Sequence, residues 1–155
     1  MEHERPFVND VRDLQVYQLS FETSMELFFL SRKFPRDETY SLTGQMRKSS
    51  RSVCSNLSEA WAKRIYEAHF ISKISDAEGE ARETQTWLDY AAACDYMEKS
   101  RAIGYRFTYD SIIGMLVGIA AAAGGAIAGN SEAAKAGSGV MAGSQGLAQR
   151  NFFAY

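Results

Sequence analysis

Leu42-Thr43-Gly44-Gln45-Met46-Arg47-Lys48-Ser49-Ser50-Arg51-Ser52-Val53-Cys54-Ser55-Asn56-Leu57-Ser58-Glu59-Ala60-Trp61 decides the fold class. Leu42, Met46, Val53, Leu57 and Trp61 recur at helical spacing, which predicts one long helix over residues 40–64 with those side chains turned inward. The small residues Ser49 to Ser52 lie among them and permit close approach by a neighbouring helix.

The same period extends on both sides. Upstream, Asn9 or Asp10 can cap a helix over 11–33 whose apolar face is Leu14, Tyr17, Phe21, Met25 and Phe28, and Pro35 stops it. Downstream, Phe70, Ile74, Ala77, Ala81, Thr84, Leu88 and Ala91 predict a third helix over 67–99. Gly104 marks the next connection, and Ile112, Ile113, Leu116, Val117 and Ile119 belong to a fourth helix over 108–122. No alternating β-branched run bounded by turn residues occurs, so the expected class is all-α. The expected core is Leu14, Phe21, Met25, Leu42, Met46, Val53, Leu57, Phe70, Ile74, Leu88, Ile112 and Leu116.

Composition agrees with this architecture. The 155 residues are 46% hydrophobic, enough for one core, and Pro6 and Pro35 are the only prolines. Nine of the twelve glycines fall between Gly114 and Gly146, so the domain division is a bundle over 1–122 and a flexible Gly/Ala-rich extension over 123–155, ending in Phe152, Phe153 and Tyr155. Cys54 and Cys94 form no disulfide framework, and no signal-like segment opens the sequence, so a reduced, cytoplasmic protein is expected. Both cysteines read as small buried hydrophobes.

Catalytic, metal and cofactor chemistry find no support. His3 and His69 have no Glu-x-x-His partner, and Asp76, Glu80 and Glu83 along one helix face read as a solvated acidic surface. Charge placement is more informative. Arg32, Lys33, Arg36, Arg47, Lys48, Arg51, Lys63 and Arg64 face three acidic residues over 32–64, a net of +5. Eight acidic against two basic residues over 67–98 give -6. The two helices can neutralise each other within or between subunits, or the basic one can carry phosphate contacts through Arg47, Lys48, Arg51, Lys63 and Arg64. A chain of net charge -2 supports the second reading only if an assembly gathers several such stripes. Asn56 and Glu59 lie beside the apolar stripe as a structural polar network, with Arg51, Arg82 or helix-end amides as partners.

Asp13-Leu14-Gln15-Val16-Tyr17, Lys33-Phe34-Pro35-Arg36-Asp37-Glu38, Gln45-Met46-Arg47-Lys48-Ser49-Ser50-Arg51-Ser52-Val53 and Asn56-Leu57-Ser58-Glu59-Ala60 together resemble the four-helix bundle protein family, also called the 23S rRNA intervening sequence protein family. The likeness continues through Glu83-Thr84-Gln85-Thr86-Trp87-Leu88 and fades after Leu116. The resemblance implies an antiparallel up-down bundle that assembles into a homo-oligomeric ring, typically a pentamer, with no enzymatic activity. It is distantly similar to the accessory protein of diversity-generating retroelements, which implies RNA or DNA as a partner and places the basic motif at Arg47, Lys48 and Arg51. Ala60 stands where many relatives have glycine, and the mild acidity departs from the basic retroelement protein.

The expected function is thus a non-enzymatic scaffold or adaptor for itself, for nucleic acid or for a further protein. The alternative is a membrane-associated oligomer. Ser111 to Ser131 is 21 uncharged residues with Gly114-x-x-x-Gly118 and Gly125-x-x-x-Gly129. Against it, the first half of that segment is needed by the bundle, and no basic cluster or aromatic belt flanks it.

Overall fold

Four helices account for most of the chain: α1 (Gln15–Ser31), α2 (Leu42–Ala62), α3 (Glu67–Ala93) and α4 (Lys99–Ala136). This computed structural model describes residues 8–136, with side chains through 125, and no strand occurs among the described residues. Cross-helix contacts give the topology. Arg47 meets Ser31 while Cys54 meets Tyr17, Ser49 meets Thr84 while Asn56 meets Lys73, and Gln85 meets Asp110 while Asp89 meets Arg106. Each pair rises on one helix as it falls on the next, so consecutive helices are antiparallel, and α1 closes the bundle against α4.

The expected core forms around Leu42, Met46, Val53, Leu57, Phe70, Ile74, Leu88, Ile112 and Leu116, all buried. On α4 the inward stripe is Ala102, Tyr105, Tyr109, Ile112, Leu116, Ile119 and Ala123, at steps of three and four. Tyr109 is wholly enclosed, and burial pushes its phenol well above the usual range.

The first helix departs from expectation. Asp10 caps only a 3-10 turn, Val11–Asp13, and Leu14 is extended (ψ 129°) before α1 begins at Gln15. Its inward face carries Val16, Ser20, Thr23, Ser24, Leu27 and Ser31, whereas Phe21 is 50% exposed and Met25 half-buried. The hydroxyls account for this. Ser20 donates to the Val16 carbonyl (2.6 Å), Thr23 to Leu19 (2.7 Å), Ser24 to Phe21 (2.8 Å) and Ser31 to Phe28 (3.0 Å). Each buried hydroxyl is satisfied within its own helix, so a face of small side chains can sit against the bundle and turn the aromatics outward.

Three further boundaries shift. α3 ends at Ala93, not residue 99, because Asp95 takes a left-handed conformation (φ 58°). The amide of Asp95 donates to Ala92 and that of Tyr96 to Ala91, the paired bonds of a Schellman cap usually built on glycine. α4 therefore opens at Lys99 and runs through Gly104, its buried stripe outweighing one interior glycine. It also continues to Ala136 instead of fading near residue 123, consistent with the helix propensity of its alanines. The expected flexible segment beyond residue 136 lies outside the described residues.

Glu38 ties the two connections at one end of the bundle. Its carboxylate accepts from the Ser41 hydroxyl, the Leu42 amide (3.2 Å) and the Tyr96 hydroxyl (3.0 Å), and these bonds hold it below the usual carboxylate range. Phe34 packs on the Tyr96 ring beneath it.

Two stability measurements check this description. Leu57→Ala should lower the unfolding free energy by about 2–5 kcal/mol in chemical denaturation, as for a fully buried large-to-small change. Asp95→Gly should raise it by about 0.5–1 kcal/mol, since glycine occupies the left-handed region without a Cβ penalty.

Candidate functional site

On the outer face between α1 and α2, aromatic rings and guanidinium groups interleave. The buried Ser31 hydroxyl accepts from Arg47 Nε (2.7 Å), which lays the Arg47 guanidinium over the Phe28 ring at 4.8 Å. Arg51, one turn later and exposed, covers the same ring at 5.3 Å. Tyr17 and Phe21 stack on the same helix at 6.3 Å. Burial, then the neighbouring charges of Arg51 and Arg32, lower the Arg47 pKa. Among the described residues no ion pair joins a carboxylate to Arg32, Arg47 or Arg51. The result is a ridge of unneutralised positive charge set on exposed aromatic surface.

Lys48 turns the other way, towards α3, where its charge acts on Glu80. There Asn56, Ser75, Asp76, Gly79, Glu80 and Glu83 line an open cleft of about 480 Å³ between α2 and α3. Partial burial and the charges of Glu83 and Asp76 raise the Glu80 pKa, with Lys48 opposing them. Asn56 and Glu59 do come together, but on Lys73 and not on Arg51 or Arg82. Lys73 Nζ lies 2.8 Å from Glu59, 3.2 Å from Asp76 and 3.5 Å from Asn56 Oδ1, and the two carboxylates raise its pKa. Arg82 is held by Glu78 on its own helix at 2.7 Å. The listing of α2 as basic and α3 as acidic therefore misleads locally: the ion pair that crosses them takes its base from α3 and its acid from α2.

Lys63 and Arg64 stand apart from the ridge. They follow the last residue of α2, about 18 Å along the axis from Arg51 at 1.5 Å per residue. Arg64 donates to the Trp61 carbonyl (2.8 Å) and lies over the Trp61 ring at 4.7 Å. The five basic residues thus form no single stripe: Arg47 and Arg51 share a face, Lys48 serves the cleft, and Lys63 and Arg64 sit at the far end of the helix. Phe28, the ring that organises the ridge, carries no charge and was legible only as an apolar α1 position.

No group of three or more His, Cys, Asp or Glu among the described residues is placed to hold a metal ion. Among the described residues one helix, over Lys99–Gly125, is long and apolar enough to cross a membrane by length and composition, and its inward stripe belongs to the bundle core. Among the described residues, nothing beyond its chain neighbours and its own helix backbone would meet a Cβ added at Gly114 or Gly118, so that pair is not used for packing against the other described helices.

The cysteines divide. Cys54 is buried beside the Tyr17 carbonyl, and burial pushes its thiol up to about 12. Cys94 is exposed at the end of α3, contrary to the expectation that both are buried, because the Schellman turn carries it out of the helix packing. Iodoacetamide at pH 8 should therefore label one thiol per native chain, and peptide mass spectrometry should place it at Cys94; equal labelling of Cys54 would contradict the packing.

Comparison with known proteins accords with this architecture. The family model described as 23S rRNA-intervening sequence protein matches residues 12–118. A solved structure from Bacteroides thetaiotaomicron, described as a protein with unknown function from the S23 ribosomal protein family, is 24% identical and superposes with a TM-score of 0.62. The match covers 68% of this chain and 94% of that one, and at this identity it speaks for the fold alone. No match is found among curated proteins. With the family model spanning α1 through most of the packed part of α4, the chain belongs to the 23S rRNA-intervening sequence protein family.

Proposed function

We propose that this protein is a non-enzymatic, cytoplasmic scaffold that works as a homo-oligomeric ring, a pentamer by family resemblance. The observation that carries the reading is the ridge of Tyr17, Phe21, Phe28, Arg47 and Arg51, which leaves aromatic surface and unneutralised arginine outside the bundle. Arginine and aromatic residues are the types that concentrate binding energy at protein interfaces. Phe29, 57% exposed near the end of α1, adds apolar surface that a subunit alone leaves in water.

A second reading draws on the same ridge. Guanidinium groups beside rings, without carboxylates, suit phosphate contact together with base stacking, so a nucleic-acid accessory role would use Arg47 and Arg51, with Lys48, Lys63 and Arg64 lying off that face. Light scattering at micromolar concentration should give a multiple of the 17.2 kDa subunit mass, and a monomer mass would refute the scaffold reading. Binding of generic RNA at two salt concentrations tests the accessory role. Affinity should fall steeply with salt, and Arg51→Ala should flatten the log–log dependence by about one unit of slope. Absence of binding at low salt would leave the plain assembly role.

A further inference from the structure

We infer that the acidic cleft between α2 and α3 receives the arginine–aromatic ridge of a second copy of this chain, head to tail. The inference rests on the scaffold reading and specifies which surfaces meet. Each surface holds like charge that its own subunit does not neutralise. Arg47, Arg51 and Arg32 crowd one another on the ridge, with no carboxylate in ion-pair reach among the described residues. Glu80, Glu83 and Asp76 crowd one another in the cleft, where Lys48 and Lys73 answer only part of the charge. Bringing ridge to cleft would pair both sets at once.

Shape and position agree. The cleft is wide and open, about 480 Å³, and Gly79 in its lining contributes no side chain to fill it. The ridge presents the exposed Arg51 and Phe21 side chains. The two surfaces flank α2 on adjacent faces of a bundle whose helices touch in the order α1, α2, α3, α4 and back to α1, so their outward directions differ by roughly a right angle. Such a contact cannot be its own two-fold mate. It is heterologous, so repeating it adds copies head to tail. Height along the bundle decides between a ring and a helical filament. The 2.9 Å contact of the Ser49 and Thr84 hydroxyls places Arg47 and Arg51 within about one turn of Glu80 and Glu83 along the axis, so successive copies meet at nearly the same height.

Charge reversal on the full chain tests the contact. Arg51 and Glu83 are both exposed, so Arg51→Glu and Glu83→Arg should each keep the helical circular dichroism spectrum. Each should weaken assembly at least tenfold in concentration-dependent light scattering, and Arg51→Glu combined with Glu83→Arg should restore the wild-type mass. If either reversal fails to fold, the neutral Arg51→Gln and Glu83→Gln should weaken assembly in the same direction. Wild-type chains that assemble while the single variants keep the full mass would overturn the proposed contact and leave the scaffold reading standing. A wild-type monomer would sink both. Loss of RNA binding in Arg51→Glu with the oligomer mass unchanged would also overturn it, assigning the ridge to nucleic acid.

Discussion

Close packing of hydroxyl-bearing side chains around α2 is the constraint on which this bundle depends. Ser49 and Ser50 are buried, as is Thr84 opposite, and the Thr84 hydroxyl reaches Ser49 at 2.9 Å. On α1 four of the six buried residues carry hydroxyls: Ser20, Thr23, Ser24 and Ser31. These groups satisfy themselves on carbonyls of their own helices, so their burial leaves few polar atoms unmet while the helix axes draw together. The aromatic side chains of α1 then fall at the rim, where Phe28 becomes the platform for Arg47 and Arg51. The surface chemistry is thus a consequence of the packing, because where α1 turns serine and threonine inward its own aromatics face outward.

That displacement marks the limit of what the sequence discloses. On α2, α3 and α4 the aliphatic and aromatic buried positions keep a helical period that identifies most of the core, with Ser49, Ser50, Thr84 and Gln85 buried among them. On α1 the period of Phe21, Met25 and Phe28 is equally regular, yet it describes a rim and not the core. Hydropathy cannot distinguish an apolar face buried within a subunit from one left outside when the true inward face is serine and threonine. The end of α3 was hidden for a different reason: Asp95 occupies a left-handed position normally announced by glycine, while the visible Gly104 sits within α4. Alanine propensity likewise carried α4 beyond the point where glycine content suggested a stop.

The candidate site was legible in part. The spacing of Arg47 and Arg51, one turn apart, correctly implies a shared face, and Asn56 and Glu59 do lie together. Their partner was obscured because Lys73 belongs to a strongly acidic segment, where net charge hides a single base placed among carboxylates. Linear charge counts treat a helix as one surface. In the bundle, a one-residue step from Arg47 to Lys48 turns the side chain by about 100° and moves it from the ridge to the cleft.

Ridge and cleft both take their geometry from α2, which links the fold's main constraint to its proposed contacts. Arg47 is held by the Ser31 hydroxyl across the α1–α2 seam, while the cleft lies along the α2–α3 seam that the Ser49 and Thr84 hydroxyls join. A bulkier side chain at Ser49 or Ser50 would prise α2 from a neighbour, shifting the arginines relative to the carboxylates even though neither charged group had changed. A level contact tolerates little such movement, since an axial offset repeated at every subunit would turn a closing ring into an open spiral. The small residues therefore bear on more than subunit stability: by fixing how near α2 lies to α1 and α3, they set whether two oppositely charged faces of one chain stand at the same height.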